Sequence, residues 1–290
     1  MRESRSYRIF TVANTIFLLG VVFLTLYPFL NIIAQSLSSE AAIMAGRVTL
    51  IPIGFNIETY KVVMSDRLFW INYKNTVVYT VVATAISLVL TTMYAYAISR
   101  MRLRGRGLFI GIAVFTMFFN GGLIPNYILI NTLNMDNSIW AIVIPNAVSI
   151  FNLLVMKSFF ENLPIELEEA AAIDGLTTYG ILLRIVIPLS KAILATMLLF
   201  YAVSHWNSWF QAFIYLSDKE LFPVTMYLRN MIAGTSQTSD VAAASADAQN
   251  NVSANIKAVT MVLTVLPILC VYPFIQKYFV SGVMLGSVKQ

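Results

Sequence analysis

Charge is scarce in this chain of 290 residues: Asp, Glu, Lys and Arg make up 11% of it, where a water-soluble domain carries about 25%. With 58% hydrophobic residues and a mean hydropathy of +0.75, a soluble fold would leave extensive apolar surface in water. That excludes a soluble domain and makes lipid the solvent. Cysteine and histidine are rarer still. Cys270 is the single thiol, which excludes a disulfide framework, a CxxC pair and a thiolate metal cluster. His205 is the single imidazole, and it reads either as a proton relay or substrate contact, or as a buried ring hydrogen-bonded to a neighbouring helix. The HExxH, GxSxG and GxxxxGK[ST] motifs are missing too, so no catalytic constellation, metal site or nucleotide-binding loop is expected in the chain itself.

What the chain has in abundance is uncharged sequence. Unbroken runs cover 9–39, 75–99, 107–135, 137–156, 192–217 and 258–276. Each can hold the roughly 20 helical residues that cross a bilayer core of about 30 Å, and the ten-residue alternation of a β-barrel is absent. The expectation is an all-α polytopic membrane protein, a single transmembrane domain over 1–290. Its six helices are placed at about 9–33, 73–99, 107–131, 138–160, 190–216 and 257–278. Arg2, Arg5 and Arg8 precede a first apolar stretch too long for a secretory signal, so the first span is read as uncleaved. Twelve of the nineteen Lys and Arg fall on the N-terminal side of the membrane, led by Arg100, Arg102, Arg104 and Arg106 in one short turn. By the positive-inside rule both termini are then cytoplasmic. The net charge of +5 reads as topology, because no basic soluble face interleaved with aromatics exists to bind nucleic acid.

Three connections are long. The outer loop 36–72 contains a segment over 57–64 that suits a short interfacial helix, with Tyr60 and Trp70 at the membrane surface. The outer loop 218–257 is rich in Ser, Ala, Asn, Gln and Thr, the composition of a flexible or weakly helical lid. The cytoplasmic loop 161–190 reads as two short helices. Asn162 is placed to cap the first, with Pro164 in its first turn, and Glu166, Glu168 and Glu169 lie where the helix dipole favours carboxylates. Ala170, Ala171 and Ala172 leave room for close approach of another protein, and Gly175 permits the turn that ends the helix. Thr177 or Thr178 then caps a second helix running through Arg184, and Pro188 forces a bend before the fifth span. Spacing alone fits a surface tie between two spans equally well.

Glu169-Ala170-Ala171, Gly175 after three residues, and Ile185-Val186-Ile187-Pro188 after nine more resemble the EAA loop of ATP-binding-cassette importer permeases, EAA-x3-G-x9-I-x-L-P, with Ile187 in place of leucine. The resemblance covers the whole chain. Tyr27-Pro28-Phe29 at the end of the first span, the arginine-rich turn and the tail over 282–289 are similar to the carbohydrate-uptake permeases of type I importers, closest to the maltose-G-like partner. Phe118-Phe119-Asn120-Gly121-Gly122-Leu123-Ile124-Pro125 and the Gly-Val-Met-x-Gly tail resemble its lipoprotein/polysaccharide branch.

The resemblance implies a non-catalytic subunit of the bacterial cytoplasmic membrane that imports an oligosaccharide or polysaccharide fragment. Its implied partners are a second homologous permease, forming a heterodimer, two copies of a cytoplasmic ATPase that bind ATP and Mg, and an extracytoplasmic sugar-binding protein. Glu169, Ala170, Ala171, Asp174, Gly175, Ile185 and Pro188 would form the coupling element toward the ATPase. Gly282, Gly286 and Lys289 would belong to a tail reaching between the ATPase subunits. Tyr94, Asn120, Asn146, Trp206 and Asn207 are candidate path residues, because sugars bind through amide hydrogen bonds and aromatic stacking; for each of them the aromatic belt or an interhelical Asn contact is the stronger reading. Two rivals are weaker. A secondary, ion-coupled transporter needs ionisable groups in mid-membrane, where only His205 stands, and an intramembrane enzyme needs a nucleophile and base.

Overall fold

The computed structural model describes residues 5–233 and 254–287, and these residues are mostly helical, without a β-strand among them. The chain divides into two compact units, one of residues 1–70 and 228–266, the other of 71–227 and 267–290.

In the first unit α1 (Arg5–Ser36) is a single long rod whose apolar side chains, among them Ile9, Phe17 and Leu24, are exposed along its length, as lipid-facing side chains are. Its threonines return their hydroxyls to the helix: Thr11 Oγ1 donates to the Tyr7 carbonyl at 2.9 Å and Thr15 Oγ1 to that of Thr11 at 2.8 Å. Beyond it, α2 (Glu40–Met44) and α3 (Glu58–Ser65) lie in the loop 36–72. The loop is tied down by polar contacts. Ser38 Oγ donates to Ala34 O at 2.6 Å and accepts from Ile53 N at 3.0 Å, while Asn31 Nδ2 reaches Thr49 O at 2.7 Å. The helix expected over 57–64 is α3, and Tyr60 is fixed by a 2.8 Å hydrogen bond with Ser36. Trp70 lies in the first two turns of α4 (Arg67–Ser99), which begins six residues before the expected start of its span.

In the second unit α4 continues with a row of buried hydroxyls, Thr76, Thr80, Thr84, Ser87 and Thr91, facing inward. The expected third span, 107–131, is not one rod. It is α5 (Arg106–Phe118) and α6 (Leu123–Thr132), bent by 113°. The cause is local: Asn120 Oδ1 accepts from Gly122 N at 2.9 Å, Gly122 sits at φ 94° where only glycine is unstrained, and Pro125 falls in the first turn of α6. The expected fourth span, 138–160, is α7 (Trp140–Val143) and α8 (Ile150–Glu161), separated by an irregular stretch containing Pro145. Ser149 caps α8, its hydroxyl accepting from Asn152 N.

Next come α9 (Ile165–Ile173), α10 (Thr178–Ile181), one wide π turn (Leu182–Val186), α11 (Ile187–Leu189) and α12 (Lys191–Trp206). The bend expected before the fifth span is there, between the helix that holds Pro188 and α12. The wide turn just before Pro188 absorbs the missing N–H, and the 86° bend falls after Leu189, at Ser190. The span expected over 190–216 stops at Trp206. It is followed by α13 (Phe210–Tyr215), a 3-10 turn (Lys219–Leu221) and α14 (Val224–Ile232). The last helix, α15 (Ala254–Ser287), covers the expected sixth span and runs beyond it.

Three helices are therefore long and apolar enough to cross a membrane as single rods, and the two bent pairs raise the number to five among the described residues. The core of this unit joins Ile98, Leu153, Met156, Phe160, Ala171, Ile181, Val186 and Met197.

Candidate functional site

The connection 161–190 is held rigidly. Asn162 does not cap α9, as expected from sequence; it ends α8, its Nδ2 donating to Ser158 O at 2.7 Å, and Pro164 occupies the position before α9. Glu166 and Glu168 lie in the first turn. Gly175 takes φ +81°, and Leu176 N donates back to Ala171 O at 3.0 Å, closing the helix with the left-handed turn expected there. Thr177 caps α10, its hydroxyl accepting from Gly180 N at 3.2 Å.

The residues of the Glu-Ala-Ala motif divide by direction. Glu169 and Ala170 are exposed, while Ala171 is buried in the chain's own core and is unavailable to a partner. Asp174, Gly175 and Pro188 are exposed, and Ile185 is half-buried against the same core. On α9 and at its end Ile165 and Leu167 are exposed and Ile173 is 86% exposed. The surface of α9 thus combines carboxylates with uncovered aliphatic side chains on a short stiff element.

What anchors it is a cluster that sequence reading did not single out. Glu168 is buried and pairs with Arg100 at 2.5 Å, their side chains being 8% and 10% exposed. Arg100 Nη1 also donates to Phe160 O at 3.2 Å, its guanidinium lies 4.9 Å from the Tyr96 ring centre, and the Tyr96 hydroxyl donates to Glu168 Oε2 at 3.3 Å. Beside it Arg106 pairs with Glu161, which also receives Lys157 at 2.8 Å, and Arg106 Nε donates to Ile98 O at 2.7 Å. Two of the arginines assigned to topology are therefore also structural clamps between the end of α4, the end of α8 and α9. An acidic residue that helix rules place in a first turn, opposite an arginine in a short turn, was the available signal.

Two clefts open elsewhere in the same unit. One, of about 590 Å³, is lined by Asn146, Ser149, Asn152, Tyr201, Ser204, His205, Asn207, Trp209 and Gln211. The other, of about 620 Å³, is lined by Asn120, Asn126, Tyr215 and a set of aliphatic side chains, and shares Asn146, Phe210 and Gln211 with the first. Asn120, Asn146 and Asn207 are thus brought onto cleft walls. Trp206 is buried against Tyr73, with ring centres 6.0 Å apart, and Tyr94 donates its hydroxyl to Phe109 O at 3.0 Å; neither lines a cleft. Asn126, Asn152, Trp209 and Gln211 went unread because the apolar pattern around them predicted unbroken spans. His205 bonds Ser87 at 3.1 Å and stacks on Tyr201, whose hydroxyl meets Thr91 at 2.6 Å. Gly282 and Gly286 lie within α15, and Lys289 lies outside the described residues.

Bent spans around polar clefts, with a clamped helix pair between spans, describe a transport permease. No protein-family model matches the chain. Protein LplC of Bacillus subtilis (strain 168) is 39% identical over 292 residues, spanning 100% of this chain and 98% of that one. The polygalacturonan/rhamnogalacturonan transport system permease protein YtcP of the same organism is 36% identical over 97% of this chain and 99% of its own length. In the crystal structure of a bacterial ABC transporter involved in the import of the acidic polysaccharide alginate, one chain matches with a TM-score of 0.86 at 36% identity, over 96% of this chain and 99% of that one. The chain belongs to the permease subunits of ATP-binding-cassette sugar importers, multi-pass proteins of the inner membrane. Such subunits work with ATPase and binding-protein partners and are generally non-catalytic.

Proposed function

We propose that this chain is one half of a heterodimeric permease that carries an oligosaccharide, a fragment of a larger polysaccharide, into the cell by alternating access. The observation that carries the coupling part of this reading is the exposed Glu169-Ala170 face of α9, set on a helix that the buried Arg100–Glu168 pair fixes to the end of α4. A partner ATPase that grips α9 then moves α4 with it. Glu169 makes the polar contact, Ala170 allows close approach, Asp174 and Gly175 shape the turn, and Ile185 and Pro188 carry the motion through α10 and α11 toward α12. ATP and Mg are bound by two copies of the ATPase, and hydrolysis there drives the closure that tilts the spans. Both termini and the loop 161–190 are cytoplasmic in this reading, and the binding protein meets the outer loops 36–72 and 218–257.

The amide-rich clefts around Asn146 and Gln211 supply this chain's share of the path. Asn120, Asn126, Asn207 and Gln211 offer paired donors and acceptors to sugar hydroxyls, while Trp209, Phe210 and Tyr215 offer faces for pyranose rings. This lining supports the oligosaccharide class, as do the relatives, two of which are named for polysaccharides or their import.

The test is purification of the tagged chain from its native membrane in mild detergent, with subunits counted by mass spectrometry and transport measured after reconstitution. One second permease and two ATPase copies are expected. Glu169→Lys and Gly175→Asp are expected to leave the permease pair intact while abolishing transport and uncoupling hydrolysis. A chain that purifies without an ATPase, or that loses activity on His205→Ala while tolerating both coupling variants, would return the ion-coupled reading.

A further inference from the structure

A third cavity, of about 410 Å³, lies where α4 ends and α10 passes beneath it, and it has no part in the sugar clefts or in the exposed face of α9. Three arginines converge on it: Arg100, Arg102 and Arg104. Charge there is unbalanced. Glu168 is the one carboxylate paired with this group, and it is taken by Arg100, whereas Arg102 and Arg104 make no ion pair among the described residues and are exposed. Tyr179, on α10, adds a hydroxyl at the same rim and is itself exposed.

Apart from Tyr96 and Thr178, the remaining wall is apolar, and it has a direction. Ala97 and Met93 stand three and seven residues before Arg100 on α4, so at 1.5 Å per residue the wall rises about 10 Å from the arginines into the stretch of helix that composition places in hydrocarbon. Leu182 faces them from the π turn. A free inorganic anion would use only the charged foot of such a cavity. A molecule with a phosphate at one end and acyl chains at the other uses all of it.

We propose that this cavity is a binding site for an anionic phospholipid, its phosphate on Arg102 and Arg104 and its chains lying along Ala97 and Met93. The volume falls within the usual range of small-ligand clefts, and basic pockets at the ends of spanning helices are where anionic headgroups bind. The site requires only that α4 spans the membrane, so it stands or falls separately from the transport reading.

The complete assembly, purified from its membrane in mild detergent, is examined by native mass spectrometry for retained lipid. Wild type is expected to retain phosphatidylglycerol, and R102Q/R104Q to hold it roughly thirtyfold more weakly, while R47Q, which removes a charge in the loop 36–72, retains it as wild type does. Because the double variant also weakens an orientation signal, unaltered protein stripped of lipid is titrated separately with short-chain phosphatidylglycerol, phosphatidylcholine and inorganic phosphate. Binding of the first alone is the expected result. Equal binding of both lipids, displacement of phosphatidylglycerol by inorganic phosphate, unchanged retention in R102Q/R104Q, or loss of a partner subunit from that variant with its lipid still bound would each overturn the proposal.

Discussion

Glu168 and Glu169 are neighbours with opposite fates. One is buried against Arg100 and the other faces outward, because a helix turns its side chains by about 100° per residue and α9 has only one covered side. Removing one member of a buried pair strands the other charge, so Arg100→Ala or Glu168→Ala is expected to cost about 3–5 kcal/mol, read as a large drop in thermal melting in detergent. Exchanging the two charges, R100E with E168R, is expected to recover part of that loss, and no recovery would mean that the residues act separately. Ala170 and Ala171 make a second contrast. Ala171→Leu overfills a packed site and is expected to cost about 1–3 kcal/mol, while Ala170→Leu is expected to leave melting unchanged and, in the coupling reading, to weaken ATPase association on pull-down.

The helices show how a run of apolar residues differs from a span. From 107 to 135 nothing in the charge pattern interrupts the sequence, yet Asn120, Gly121 and Gly122 turn the chain through 113°. Spin labels at Leu108 and Ile128 separate these alternatives. A straight helix would hold them about 30 Å apart, and the bent pair is expected to give roughly half of that by pulsed electron resonance. Gly122→Val is expected to destabilise the fold, because a β-branched residue at φ 94° is strained, and a variant that melts as wild type would contradict the turn. Near Pro188 the expected bend before the fifth span is present, and its exact place is a matter of helix geometry. The proline is accommodated by a π turn directly before it, and the bend falls at Ser190.

Taken whole, the chain carries two kinds of exposed surface. Apolar side chains along α1 and α4 suit lipid, while the exposed part of the loop 161–190 mixes carboxylates with aliphatics, as a protein-docking surface does. The clefts bring side chains from α6, α8, α12 and α13 to shared walls, which requires the bends that break the spans. Asn146→Ala and Gln211→Ala are expected to lower sugar-stimulated transport several-fold in reconstituted vesicles while leaving assembly and basal ATP hydrolysis unchanged. A drop in basal hydrolysis instead would place these residues in structure rather than in the path.

Composition by itself determined the solvent, the helical class and the absence of any catalytic or nucleotide-binding motif, since burial of uncharged runs in lipid is a sum over many residues that no single contact overturns. The helix end at Gly175 and the cap at Thr177 were also legible, because helix caps and a left-handed glycine are local properties of the chain. Tertiary structure alone decided that Ala171 and Glu168 face inward, that Asn162 closes one helix rather than opening the next, and that Trp206 and Tyr94 stand away from the clefts while Asn146 and Gln211 line them. Those outcomes depend on which side of a helix meets a neighbour distant in sequence, and an apolar helix with polar residues scattered around it carries no periodicity that names the side.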